Sequence, residues 1–347
     1  MRKKQNITED SMTSKELAQL IGVSQSTISR ALSGSPRISE KRRQEILEMV
    51  EKYNFELNIN AKNLRTRTST FIGIVMPDYF RSLIDDDFRA LQFNYLYEEL
   101  SKSGYDLIMI NNDEISDNAG ALEGVVRKRQ LCGLILSRRF ENDSVIEYLK
   151  GLSIPLVAMT RCNEKMQFIP SVTSDSYGMG YLIGKHFAKG NYRHAAFIRI
   201  KNHKSGELTA KGFEDALKEG NVIFTENDTF FTGFDFQSGY NTVKENLDKI
   251  RQYDAVFAQN DTMALGVISA LRDNGISVPG DIAVAGNNDI PSAQWFSPHL
   301  TTVRTFIEIQ ARIACERIVS LIRNGTDPYD EKHYIVKPEL IVRESCP

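Results

Sequence analysis

Residues 22–32 read GVSQSTISRAL, a glycine followed by short polar side chains set between apolar ones. Ser24 can cap a helix on which Ile28, Ala31 and Leu32 recur at helical spacing, leaving Gln25, Ser26, Ser29 and Arg30 outward. Upstream, Thr13 and Glu16 fit a capping box, and Leu17, Ala18 and Ile21 share one face of a helix that Gly22 ends. Downstream, Ser39 can cap a third helix, whose stripe of Ile46, Met49, Val50 and Tyr53 stops at Asn54. Ala18, Gly22 and Ile28 place a small residue, a tight turn and a core residue where two helices must pack at a steep angle. This is a helix-turn-helix pattern. The second helix of such a unit enters the major groove, where its first side chains reach base edges while hydroxyls hold phosphates. Gln25 and Ser26 stand in reading positions, Arg30 can make two hydrogen bonds to a guanine, and Ser24, Thr27 and Ser29 are placed to hold phosphates. Thr13 is counted with this DNA-contacting set. A plain three-helix bundle is the competing reading, but it does not need an exposed helix start so rich in Ser, Thr, Gln and Arg.

Charge supports the same division. The net charge of −2 conceals 13 Lys and Arg against 8 Asp and Glu in residues 1–69, and 30 against 37 in the remainder. A basic head on an acidic body fits a nucleic-acid module, although a charge run is more often a solvated face. The length of 347 residues exceeds what one core organises and suggests two or three domains. A 41% hydrophobic share with 25% charged residues is globular. There is no apolar run near the roughly 18 residues that a membrane span needs. The opening MRKKQNITED has no apolar segment behind it, so a cytoplasmic location and a disordered tail are expected. Cys132, Cys162, Cys315 and Cys346 are scattered, which indicates neither a disulfide framework nor a zinc site.

The pattern changes at about Phe71. From there apolar strand, loop and amphipathic helix repeat, with strand candidates FIGIVM, YDLIMI, LCGLIL, IPLVAM, AAFIRI, DAVFAQ and IAVAG. Continuous apolar runs of this kind suit strands buried on both faces. Their alternation with helices means parallel sheets with right-handed crossovers, and their extent suggests two doubly wound units. The loops after the strands are where a pocket would form.

The chain resembles the lactose-repressor (LacI/GalR) family of bacterial transcription regulators. In the head the resemblance rests on TSKELAQLIGVSQSTISRALSG, ISEKRRQEIL and NINAKNLRT. In the body it rests on NDTMALGVISALRDNGISVPGDIAVAGNNDI, LTTV and PELIVRES. It covers nearly the whole chain. The implied fold is α/β: an all-α helix-turn-helix head, and a two-lobed doubly wound parallel body like the periplasmic binding proteins. The expected limits are a tail at 1–11, the DNA-binding domain at 12–57, and a hinge helix and linker at 58–70. The effector-binding and dimerisation domain then spans 71–347. Its first lobe takes about 71–174 and 303–332, and its second about 175–302 and 333–347.

A segment as short as NINAKNL is a marginal helix alone in water. The resemblance implies that Asn58 to Leu64, including Ala61, becomes helical in the minor groove of an operator, with Leu64 wedging between base pairs. Lys62, Arg65 and Arg67 would contact phosphates. A flexible basic linker is the alternative.

For the cleft between lobes the resemblance points to Phe234 as a ring stacked on a ligand, with Asn260 and Asp175 as polar positions. Arg161, His203, Thr209 and Asn288 complete the expected set. Thr209 stands where relatives carry an arginine, Asn288 where they carry an aspartate, and Thr160, followed by Arg161, where an acid is common. These departures remove groups that grip a neutral sugar's hydroxyls. Either the effector is of another kind or the pocket is vestigial, and Phe234 can equally be a core aromatic. The loop DYFRSLIDDD is about five residues longer than usual for the family.

Other motifs have ordinary readings. The glycines of GMGYLIG at 178–184 resemble a dinucleotide loop only weakly and are expected to pack a helix against the sheet. Asp85, Asp86 and Asp87 fit an acidic surface loop better than a metal site. His186, His194 and His203 suit no catalytic pair, and no hydrolase, zincin or Walker motif is present. No cofactor is expected. The partners expected are operator DNA, a carbohydrate-related small effector and a second copy of the chain, with no membrane. No leucine heptads follow the body, so a dimer is the expected assembly. The chain thus reads as a repressor whose two heads bind a near-palindromic operator. The alternatives are a solute-binding protein or enzyme on the same body, or a regulator controlled by a partner protein.

Overall fold

The computed structural model describes residues 14–32, 37–53, 69–77, 87–115, 117–190, 192–201 and 204–347. The chain divides into two compact units, Met1–Ser69 and Thr70–Pro347.

In the first unit α1 (Ser14–Ile21), α2 (Gln25–Leu32) and α3 (Glu40–Lys52) surround Leu17, Ala18, Ile28, Ala31 and Ile46, all buried. Gly22 ends α1 with φ +71°, a conformation that favours glycine over residues bearing a Cβ. The Gly22 and Val23 amides donate to the carbonyls of Gln19 and Ala18, which satisfies the helix end in a Schellman motif. Ser24 Oγ then accepts from the Thr27 amide at 3.2 Å and starts α2. Ser39 Oγ does the same for the Arg42 amide at the head of α3. Arg43 Nε donates to the Ala31 carbonyl at 3.3 Å and ties α3 to the end of α2.

The second unit contains two lobes. One is a six-stranded parallel sheet in the order β11-β5-β4-β3-β1-β2, built from β1 (Phe71–Val75), β2 (Asp106–Ile110), β3 (Gly133–Leu136), β4 (Leu156–Ala158), β5 (Ser171–Ser174) and β11 (His333–Val336). Helices α4 (Asp87–Lys102) and α11 (Ile307–Asn324) cover one face, and α5 (Ala119–Lys128) and α6 (Asp143–Gly151) the other. Successive strand residues point to opposite faces, so Ile72 and Ile74 join one core and Val75 the other.

The second lobe is a four-stranded parallel sheet in the order β7-β6-β8-β9, made of β6 (Ala195–Ile200), β7 (Thr229–Thr232), β8 (Ala255–Ala258) and β9 (Ala283–Ala285). It lies between α7 (Ser176–Lys189) with α8 (Lys204–Glu219) and α9 (Phe236–Glu245) with α10 (Asp261–Asp273). An antiparallel pair, β10 (Thr302–Arg304) with β12 (Glu339–Ile341), closes it. The chain passes between lobes three times: after Ser174, between Arg304 and Ile307, and between Val336 and Glu339.

All seven long apolar runs form strands, and among the described residues five further strands appear, each of three or four residues. The third crossing corrects the expected lobe limits. Residues 333–336 were expected in the second lobe, but His333–Val336 pairs in parallel with Ser171–Ser174 and completes the first lobe's sheet. Likewise Val303 belongs to the second lobe, since its carbonyl accepts from the Asn288 amide and its side chain joins that core. The glycines of GMGYLIG do serve packing, though against α8 rather than the sheet. A Cβ at Gly180 would stand 1.9 Å from the Thr209 carbonyl oxygen, and one at Gly184 would stand 2.7 Å from the Phe213 carbonyl oxygen.

Candidate functional site

On α2 the apolar side, Ile28 and Ala31, is spent on the core of the first unit. The opposite side begins with linked hydroxyls: Ser24 Oγ lies 2.7 Å from Ser26 Oγ and 2.9 Å from Thr27 Oγ1. Gln25, Ser26 and Thr27 are half-buried, and Ser24 and Arg30 exposed. The first turn of α2 therefore presents several donors and acceptors beside the positive end of a helix, the arrangement that phosphates and base edges accept from a recognition helix. The side chain of Ser29 and the whole of Thr13, Asn58, Ala61 and Leu64 lie outside the described residues.

Between the lobes lies a cavity of about 160 Å³. Its wall comes from loops after strand carboxyl ends: Ser137 after β3, Thr160 and Arg161 after β4, Asn260 after β8 and Asn287 with Asn288 after β9. Phe88, Arg89 and Gln92 from α4 and Gln310 from α11 close it on the first lobe's side. Of the residues expected at the site, Arg161, Thr209, Phe234, Asn260 and Asn288 line the cavity. Asp175 is not among its lining residues. It caps α7, with Oδ1 accepting from the Gly178 amide at 2.9 Å, so its carboxylate is committed to the helix start. His203 is outside the described residues, as are Asp85 and Asp86 of the long loop.

Several of these groups are scaffolding. Asn260 caps α10 by accepting from the Met263 amide at 2.7 Å, and its Nδ2 donates to the Phe234 carbonyl at 2.8 Å, which fixes the loop carrying that ring. Asn288 and Asp289 have φ of +127° and +56°, and Phe306 at the second crossing has +51°. Such left-handed positions cost about 1–3 kcal/mol in residues with a Cβ and cluster where a backbone is held for function.

Sequence reasoning missed two polar clusters. Arg89 Nη1 donates to Gln92 Oε1 and Ser137 Oγ, both at 2.9 Å, and Ser137 Oγ donates to Gln92 Oε1 at 2.7 Å. Gln310 Nε2 donates to Ser174 Oγ at 2.8 Å and to the Thr305 carbonyl at 2.7 Å, beside two of the crossings. Asn287 Oδ1 and Thr305 Oγ1 are among the buried atoms on the wall without a hydrogen-bond partner.

The acids nearest the cavity are engaged elsewhere. Asp261 is fully buried behind Asn260, accepting from the Thr302 hydroxyl at 2.5 Å and the Ile290 amide at 2.9 Å, and burial pushes its carboxyl up to about 7. Asp289 pairs with Arg343 at 2.6 Å. Asp87 accepts from the Ser292 hydroxyl at 2.8 Å, which joins the lobes across the cleft.

A helical reading head together with a body whose two doubly wound lobes enclose a cleft defines the architecture of a ligand-responsive DNA-binding regulator. A family model described as bacterial regulatory proteins, lacI family, matches residues 13–58, and a periplasmic binding protein-like domain matches residues 185–346. The chain is 29% identical over 347 residues to the HTH-type transcriptional repressor PurR of Mannheimia succiniciproducens, covering 96% of this chain and 98% of that one. It is 28% identical over 339 residues to the probable HTH-type transcriptional repressor ExuR of Bacillus subtilis, with 96% and 98% covered. The Lac repressor dimer bound to operator and the anti-inducer ONPF shares its fold with a TM-score of 0.82, at 18% identity over 97% of this chain and 99% of that one. Residues 13–58 thus match the lacI family of bacterial regulatory proteins, the relatives alike along nearly the whole length are transcriptional regulators, and the chain is a DNA-binding transcriptional regulator. Among the described residues no helix is long and apolar enough to cross a membrane.

Proposed function

We propose that this regulator is a dimeric repressor that works in the cytoplasm, binds a near-palindromic operator, and releases or tightens its grip when a small effector enters the cleft. Gln25, Ser26 and Arg30 read base edges in the major groove, while Thr13, Ser24, Thr27 and Ser29 hold phosphates. Asn58, Ala61 and Leu64 take the minor groove, with Leu64 as the wedge. The observation that carries the reading is α2 itself: its apolar side is consumed by the Leu17, Ile28 and Ile46 core, and its capped first turn gathers Ser24, Gln25, Ser26 and Thr27. The operator-bound dimer of the Lac repressor, which holds an anti-inducer as well as DNA, supports the assembly and the effector by likeness of fold.

The cleft couples to DNA because it lies between lobes joined by three crossings, so a ligand that favours one lobe angle shifts the chain between two states. Arg161, Thr209, Phe234, Asn260 and Asn288 form part of the effector site in this reading. The test is a gel shift of the full chain on palindromic fragments against random DNA at about 0.15 M salt, where specific binding should exceed non-specific binding by about 10³-fold or more. Equal affinity for both would refute the regulator's specificity. Leu64→Ala should reduce DNA bending as well as affinity, and unchanged bending would refute the wedge.

A further inference from the structure

Two guanidinium groups and no carboxylate stand on the described wall of the cleft. Arg161 is exposed at the cavity, and among the described residues no ion pair or hydrogen bond is made by its side chain. Arg89 of α4, also on the wall, donates to Gln92 Oε1 and Ser137 Oγ. The five aspartates next in the chain to wall residues have other work: Asp87 accepts from Ser292, Asp175 caps α7, Asp235 caps α9, Asp261 is sealed against Thr302, and Asp289 is paired with Arg343. A neutral polyol needs strong acceptors for its hydroxyl protons, and carboxylates are the strongest a protein offers. This wall supplies guanidinium donors instead. Its orphaned atoms add a second requirement, because Asn287 Oδ1 can only accept and Thr305 Oγ1 lacks any partner, and both residues are more than nine-tenths buried. A buried acceptor left without a donor is costly, so a ligand hydroxyl placed there is favoured.

We propose that the effector is a small hydroxylated anion, a sugar acid or sugar phosphate of about one ring. Arg161 binds its negative group, and its hydroxyls meet Asn287 Oδ1 and Thr305 Oγ1. This deepens the effector reading above and rests on it. It also accounts for Thr160 and Asn288, which stand where acids would be expected for a neutral sugar: removing carboxylates from the wall removes repulsion against an anion.

Calorimetry on the full chain tests it. The probes are hexuronates, hexonates and hexose 6-phosphates of the gluco, galacto and manno series, each beside its neutral parent hexose. At least one charged probe should bind ten-fold or more tightly than its parent, and the carboxylate and phosphate arms identify which anion is meant. Arg161→Ala should weaken that probe at least ten-fold, Arg161→Lys should recover part of the loss, and Asn287→Ala should weaken the charged probe and any binding of its parent alike. Neutral hexoses binding as tightly as every charged probe, or Arg161→Ala binding like the wild type, would overturn the charge assignment and leave the effector reading intact. Binding of no probe, with specific operator affinity retained, would overturn both.

Discussion

The Thr302 hydroxyl donates to Asp261 Oδ1 at 2.5 Å inside a fully buried site, just behind the residues Asn260 and Thr262 that line the cleft. Burial is the dominant influence on this carboxyl and raises it from the ordinary 3.8 to about 7. The unfolded chain releases the proton near 3.8, so between about pH 4 and pH 7 the folded state holds a proton that the unfolded state has lost. Asp261 therefore favours folding least above pH 7 and progressively more as pH falls across that window. Asp261→Asn keeps an acceptor for the Ile290 amide and places a donor at Thr302, whose hydroxyl can reverse. Melting curves at pH 5 and pH 7.5 should show the wild type losing at least about 3 °C more than the variant on going to the higher pH. Parallel behaviour of the two proteins would refute this role.

At Gly180 the second lobe's helices approach too closely for any side chain. A Cβ there would meet the Thr209 carbonyl oxygen at 1.9 Å and the Phe213 nitrogen at 2.9 Å, all backbone atoms that cannot rotate away. Gly180→Ala should cost about 1–3 kcal/mol, measured by denaturant unfolding of the body. Because Thr209 is on the cleft wall, effector affinity should fall as well.

Base reading and phosphate holding separate by mutation. Arg30→Ala should weaken a specific operator by about 10- to 100-fold, the equivalent of roughly 1–3 kcal/mol, and weaken random DNA far less. Lys62→Ala, in the basic segment beyond the described part of the head, should weaken both to a similar degree. Equal patterns from the two variants in a gel shift would refute the division of labour.

The head's core of Leu17, Ala18, Ile28, Ala31 and Ile46 is small. Leu17→Ala should remove about 2–5 kcal/mol from it, more than a unit of this size can spare. Operator binding should vanish at 37 °C while the melting transition of the body stays where it was.

How much of this was readable from residues alone follows from where the information sits. In the head, Gly22, Ser24 and Ser39 act within a turn of their own position, and each forms the stop or cap that its residue type suggests. The seven long apolar runs became strands because burial on both faces demands continuous hydrophobicity. SVTS of β5, HYIV of β11 and ELI of β12 carry no such run, being three or four residues long with exposed or polar positions, and only their partners make them strands. The cleft was legible where a loop after a strand supplies the group, as with Arg161 and Asn288. It was illegible at Arg89, Gln92 and Gln310, which sit on helices whose facing direction is set by packing against distant strands. Asp175 misled for the same reason: its type suits a polar site equally well as a helix cap, and the backbone geometry chose the cap.

The pairing of β5 with β11 has a consequence for the order in which the protein comes into being. Ser171–Ser174 must wait for His333–Val336 before its outer edge is covered, whereas the second lobe's four strands all lie between Ala195 and Ala285. A ribosome delivers the head first, then an incomplete six-stranded sheet with an open edge, then a lobe able to close early. Even that lobe is sealed only when the Val284 amide donates to the Ser345 carbonyl. A nascent chain would thus own its helical head long before it owned a cleft.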